Sequence, residues 1–159
     1  ANGSHMMKPV IEGRLLQALD IRDGEAVLEI GSGSGFMAAC LGQLAREVLS
    51  LEIDAGQAEI ARANLDAARL GDNVRIETAD ALSWDTERRF DAIAITAAMT
   101  QIPTAMLKWL RPGGRLFVIH GQAPAMEAVL VSAEGKITSL FETDIEYLRG
   151  AAPTPQFTF

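Results

Sequence analysis

Cysteine is almost absent from this chain of 159 residues, and Cys40 is the only one. A single thiol can neither close a disulfide within the chain nor build a thiolate metal site. Its neighbours Ala38, Ala39 and Leu41 mark it as a core position of a reduced, cytoplasmic protein. Histidine is nearly as scarce, and His5 and His120 stand too far apart in sequence to suggest a metal site. No His/Asp or Cys/His pair offers itself as a general base or an activated nucleophile. Basic charge is in deficit: 14 Lys and Arg against 21 Asp and Glu leave a net charge of −7. A phosphate backbone is a poor partner for such a surface, so no nucleic-acid role is expected. No apolar run approaches the roughly 20 residues that span a bilayer, and no signal-peptide pattern precedes the domain.

What is present is an ordinary globular composition, 48% hydrophobic and 22% charged. The length suits one domain with a real core. Ala1-Asn2-Gly3-Ser4-His5 reads as the remnant of a cleaved purification tag, which leaves residues 6–159 as the domain. A helix is predicted from Ile11 to Ala18 with Ile11, Leu15 and Leu16 as its apolar stripe, and Asp23-Gly24 then turns the chain into a strand.

That strand, Ala26 to Ile30, runs into three alternating glycines, Gly31, Gly33 and Gly35, followed at once by an Ala/Leu-rich helical stretch. Glycines there permit positive φ and let a ligand approach the backbone with no Cβ in the way. The nucleoside triphosphate loop is excluded, because Phe36-Met37 stands where Lys and a hydroxyl residue are required. The dinucleotide pattern can be placed on Gly33, Gly35 and Ala38, which keeps an NAD-linked oxidoreductase open. More naturally the stretch reads as Glu-x-Gly-x-Gly-x-Gly beginning at Glu29. This resembles the S-adenosylmethionine site of Rossmann-like methyltransferases, in which the resemblance puts the Glu29 carboxylate near the methionine end of the cofactor.

The next helix carries Phe36, Cys40, Leu41 and Leu44 at helical spacing, and Val48 to Ile53 returns as a second strand. Glu52 lies 19 residues after Gly33, where a Rossmann-type fold offers a carboxylate to a ribose diol. Asp54 with Gln57 reads as a capping box opening a helix with Ala58, Ala61, Leu65 and Ala68 buried and Gly71-Asp72 closing it. A third strand, Val74 to Thr78, leads to Asp80 and Ala81. Phe90 to Thr96 is a fourth, apolar as a doubly covered strand should be. A helix follows Pro103 and is stopped by Arg111-Pro112-Gly113-Gly114, and Arg115 to His120 is the fifth strand. Met126 to Ser132 and Lys136 to Leu148 read as a terminal hairpin, and Arg149 to Phe159 as coil. The expected fold is therefore α/β: a Rossmann-like doubly wound sheet, mostly parallel, with an antiparallel C-terminal edge hairpin.

The runs VLEIGSGSGFMAA, SLEID and FDAIAITAAMTQIPTAMLKWLRPGGRLFV together resemble the protein-L-isoaspartate O-methyltransferase family over roughly Met7 to Leu148. The resemblance implies methyl transfer from S-adenosylmethionine, leaving S-adenosylhomocysteine, to the carboxylate of L-isoaspartyl residues in damaged proteins. It implies a cofactor set of Glu29, Gly31, Ser32, Gly33, Gly35, Phe36, Glu52, Ile53, Asp80, Ala81 and Thr96, with Asp80 beside the adenine. Two departures stand out. The family's N-terminal portion, which includes part of its peptide-binding wall, is missing here, and its loss leaves apolar surface that could support a homodimer. The family's Thr-Ile-Ser before the first shared helix is replaced by Met6-Met7-Lys8-Pro9, with Met7 at the serine's place. A second reading, a cofactor-binding paralogue that has lost isoaspartyl repair, therefore stays open. An isoaspartyl carboxylate is ionised at neutral pH and needs no general base, which agrees with the absence of a catalytic pair.

Overall fold

Ala26–Ile30 is buried along its whole length, as a strand covered on both faces must be. It is β1 in the computed structural model, which describes residues 7–154. The predicted tag remnant and Met6 lie outside the described residues. The remaining strands are β2 (Glu47–Glu52), β3 (Val74–Thr78), β4 (Phe90–Met99), β5 (Leu110–Gln122), β6 (Ala125–Ser132) and β7 (Ile137–Thr143). They form one seven-stranded sheet in the order β3-β2-β1-β4-β5-β6-β7. Pairings from β3 through β5 are parallel, while β6 and β7 add antiparallel pairings at the far edge. The mostly parallel Rossmann-like sheet with its C-terminal hairpin is thus present.

Three α-helices pack beside the sheet: α1 (Pro9–Leu19), α2 (Phe36–Leu44) and α3 (Ala55–Ala68). α1 starts two residues before the predicted position because Pro9 occupies its first turn, where the missing N–H costs nothing. α3 is capped as predicted, with Asp54 accepting from the Gln57 N–H at 2.9 Å. It ends at Ala68 with Arg69 in the left-handed region, ahead of the predicted Gly71 stop.

The sheet's faces divide the core. Val27, Ala92, Ala94, Phe117 and Ile119 meet Ile11, Leu15 and Leu19 of α1 and Met37 and Leu41 of α2. Leu28, Ile30, Ile93, Ile95 and Val118 face the other way, against Met106 and Trp109. On that second face the predicted helix after Pro103 is a six-residue 3-10 helix, Thr104–Trp109. Arg111-Pro112-Gly113-Gly114 does not stop a helix but lies inside β5. Pairing jumps there from Phe90↔Leu110 to Ala92↔Arg115, so the four residues are absorbed as a bulge. A Cβ on Gly114 would lie 2.8 Å from the Arg111 carbonyl and 3.0 Å from that of Asp91, so the bulge requires glycine.

Two further differences shape the site. β4 runs on to Met99, beyond the predicted end at Thr96. β7 stops at Thr143, short of the predicted Leu148, and the following segment returns to the end of β4: Ala98 N–H donates to the Glu146 carbonyl at 2.8 Å and Leu148 N–H to the Ala98 carbonyl at 2.7 Å. Strand order reverses between β1 and β4, which is where an open α/β sheet forms its ligand crevice.

Candidate functional site

Gly31 leaves β1 with φ of +97°, and a Cβ there would sit 2.7 Å from Thr96 Oγ1. That hydroxyl lies 2.6 Å from the Gly31 carbonyl and 2.9 Å from that of Ile30, and it ties the start of the turn to β4. On the other side, Glu52 at the end of β2 accepts from the Gly33 N–H and the Asp54 N–H, each at 3.1 Å. The Gln57 amide donates to the Gly33 carbonyl at 2.6 Å. The glycine turn is thus clamped between two strand ends and the first turn of α3 before any ligand arrives.

These groups border a cleft of about 680 Å³. One wall is Gly31, Ser32, Gly33 and Thr96, a second is Glu52, Ile53, Asp54 and Gln57, and a third is Met7, Lys8 and Glu12 at the start of α1. Residues 144–149, the returning segment after β7, form the remaining side. Arg149 reaches to 3.9 Å from Asp54 across it. The lining is acidic: Glu12, Glu52, Asp54, Asp144 and Glu146 stand against Lys8 and Arg149.

Of the residues singled out in the sequence, the structure brings Gly31, Ser32, Gly33, Glu52, Ile53 and Thr96 together in this lining. Glu29, Gly35, Phe36, Asp80 and Ala81 stand outside it. Glu29 lies beneath the turn, because alternation along β1 puts it on the α1 side with Val27. Gly35 is pressed on α3, where a Cβ would meet the Ala61 carbonyl at 3.0 Å. Phe36 is 53% exposed on the first turn of α2. Asp80 is exposed and accepts from the Leu82 N–H at 2.9 Å, an Asx turn, and Ala81 belongs to the core. Each of these follows from local geometry that spacing does not encode.

Glu29 is wholly buried and accepts at 3.0 Å from Ser50, the residue directly opposite it on β2. Ser50 in turn lies 2.5 Å from the hydroxyl of Ser32 in the cleft wall. Burial pushes the Glu29 carboxyl up to about 8; the Ser50 bond opposes this, and the charges of Glu52 and Glu12 add to it. Glu12 is raised by burial as well. Each of these two carboxyls keeps one buried oxygen with no hydrogen-bond partner among the described residues.

The family profile described as protein-L-isoaspartate(D-aspartate) O-methyltransferase matches residues 1–148. The chain belongs to that family. A protein-L-isoaspartate O-methyltransferase 1 of Syntrophobacter fumaroxidans is 41% identical over 128 residues, covering 79% of this chain and 59% of that protein. One from an Anaeromyxobacter species is 35% identical over 144 residues, covering 90% of this chain and 68% of its own. The chain therefore spans roughly three fifths to two thirds of the length of such relatives. Among solved structures, a Plasmodium falciparum chain assigned to this methyltransferase type, in complex with S-adenosyl-L-homocysteine, superposes with a TM-score of 0.80 at 20% identity, covering 93% of this chain and 77% of that one. A further protein-L-isoaspartate O-methyltransferase gives 0.78 at 23% identity, covering 95% and 51%. At these identities the superpositions establish the fold.

Among the contributors to the site that lie beyond what the sequence nominates are Glu12, Ser50, Gln57 and residues 144–149. Two carry a signal. Glu12 stands three residues before Leu15 on the apolar stripe of α1, and Ser50 interrupts an otherwise apolar strand. Gln57 reads as the partner in a capping box, but its side chain turns to Gly33 instead of back to the cap. Nothing in sequence marks the return of residues 144–149 to β4. Among the described residues, no group of His, Cys, Asp and Glu is arranged to hold a metal ion, and no helix is long and apolar enough to cross a membrane.

Proposed function

We propose that the cleft holds S-adenosylmethionine and that the chain is the cofactor-binding unit of a methyltransferase acting on the carboxylate of L-isoaspartyl residues in proteins. The observation that carries this reading is Glu52, fixed at the end of β2 by two backbone N–H groups and facing the glycine turn. A carboxylate has about four acceptor positions, so two remain for the hydroxyl pair of a ribose. The cleft volume suits a nucleoside joined to an amino acid. Its acidic lining favours a cationic ligand over the anionic pyrophosphate of NAD, which places the dinucleotide reading second.

When bound, the cofactor supplies a methyl group already activated on a sulfonium. The protein's share of the work is then alignment. Gly31, Ser32 and Gly33 hold one wall fixed, Glu52 and Gln57 set the depth of the nucleoside end, and residues 144–149 narrow the opening to water. Glu29 acts from beneath the turn through Ser50 and Ser32 and is a positioning group. An ionised acceptor carboxylate needs no proton removed, and no base is assigned.

Met7 supports a second reading, in which this paralogue binds the cofactor but has another acceptor or acts as a binding module. It stands in the cleft lining where the family usually has serine, and it offers a thioether in place of a hydroxyl. Isothermal titration with S-adenosylhomocysteine and, separately, NAD tests the cofactor assignment. Binding of the former alone is the expected result, and binding of NAD alone overturns it. Methyl transfer to an isoaspartyl peptide then separates the two acceptor readings.

A further inference from the structure

Two charged side chains of the cleft lining are buried, Glu12 and Glu52. Glu52 is engaged by backbone N–H groups, but Glu12, 5% exposed, has an oxygen with no partner among the described residues. Withdrawing a carboxylate from water without giving it a donor is costly, and such groups are rare outside sites that something else completes. What lies near it sharpens the point. Glu29, on the face of β1 turned to α1, is a second buried carboxyl with an unpartnered oxygen, and the two acids disfavour each other's ionisation. Lys8, one helical turn earlier and also in the lining, makes no ion pair with Glu12. Among the described residues, the arrangement holds acceptor oxygens and lacks a cation that donates to them.

We propose that Glu12 receives the α-ammonium of the amino-acid end of an S-adenosyl ligand, an assignment that rests on the cofactor reading above. With the ribose at Glu52, the cleft continues past Gly31–Gly33 to the start of α1, so the amino-acid end falls toward Glu12. A sulfonium is cationic but has no N–H, whereas an ammonium brings three donors and a charge. Lys8, exposed at the rim, adds the complementary cation for the neighbouring α-carboxylate.

The test is titration calorimetry on the full chain and its Glu12→Gln variant with two ligands, S-adenosylhomocysteine and 5′-methylthioadenosine, which lacks the amino-acid end. A charged hydrogen bond predicts that Glu12→Gln weakens S-adenosylhomocysteine about tenfold or more. Methylthioadenosine should bind both proteins within about twofold, and this also demonstrates that the variant is folded. Equal S-adenosylhomocysteine affinity for the two proteins overturns the assignment and leaves the cofactor reading intact. Parallel weakening of both ligands makes Glu12 a structural group and overturns it as well. Failure of the unsubstituted chain to bind S-adenosylhomocysteine overturns the cofactor reading together with it.

Discussion

Ser50 donates to Glu29 at 3.0 Å across the β1–β2 pairing, and the other oxygen of that carboxyl is buried with nothing among the described residues to accept from. The group's proton is therefore retained in the folded protein up to about pH 8, against 4.5 when exposed. Between those values the unfolded chain gives up a proton that the folded chain keeps, so this site lowers stability as pH rises and levels off above about 8. Glu29→Gln removes the titration while keeping an acceptor for Ser50. The variant should match the unsubstituted protein near pH 4 and exceed it near pH 9 by about 5 kcal/mol at most, because each tenfold change in proton affinity is worth about 1.4 kcal/mol. Urea unfolding at the two pH values measures this, and parallel pH profiles would contradict it.

Gly31→Ala acts on the same turn through its backbone. Positive φ disfavours any side chain there, and the new Cβ would lie 2.7 Å from Thr96 Oγ1. A loss of about 1–3 kcal/mol is expected from the conformational strain alone. Adding Thr96→Ala should recover only the part due to the contact. Thermal unfolding of the single and double variants separates the two contributions, and full recovery in the double variant would mean that φ at residue 31 is not the constraint.

The succession of strands along the chain, the glycine turn and the acid at the end of β2 are legible in the sequence because each is local: a period of two, a break, and a fixed distance from Gly33 to Glu52. Where Asp80 and Phe36 point is not legible for the opposite reason. Whether an acid after β3 turns inward depends on the loop that carries it, and here that loop closes as an Asx turn. The Arg111–Gly114 run is ambiguous in the same way, since a sequence that can stop a helix can also bulge out of a strand. Pairing with β4 on both sides of the run decides for the bulge. The fourth side of the cleft is invisible in sequence, because residues 144–149 are held by main-chain bonds to Ala98 and by the Tyr147 hydroxyl donating to the Gly121 carbonyl at 2.9 Å, contacts between segments far apart in the chain.

Arg115 holds three pieces of the frame together. Its guanidinium donates to both oxygens of Glu25, at 2.6 and 2.8 Å, and to the carbonyls of Leu19 and Asp20 at the end of α1. Both side chains are largely buried, at 17% and 20% exposure. Arg115→Ala should cost about 2–4 kcal/mol, mostly from leaving the Glu25 charge without its partner. The Arg115 bond holds the Glu25 carboxyl below its usual range. The stabilisation is therefore complete above the unfolded value of 4.5 and is lost as pH falls through the lower folded one. Acid titrations followed by circular dichroism should show the variant and the unsubstituted protein converging below that range. Arg115→Lys, which keeps the charge without the fork, should restore only part of the difference.

Met7 is where the two acceptor readings part. Its thioether borders the cleft beside Lys8 and Glu12, so an isoaspartyl carboxylate entering from that side meets the Lys8 ammonium at the rim but no hydroxyl donor at residue 7. Met7→Ser supplies a hydroxyl at that point without touching Glu52 or the glycine turn. If the acceptor is an isoaspartyl carboxylate, one hydrogen bond to a charged group should raise methyl transfer to an isoaspartyl peptide about tenfold. S-adenosylhomocysteine affinity should stay within about twofold, because the same hydroxyl is not needed to hold the cofactor. A variant that binds S-adenosylhomocysteine normally, yet methylates the peptide no better than the unsubstituted chain, places the obstacle elsewhere in the acceptor wall and favours the paralogue with a different acceptor. The comparison is informative because only the acceptor side changes: a gain in transfer at constant cofactor affinity arises only from a group that the cleft of this chain lacks at residue 7.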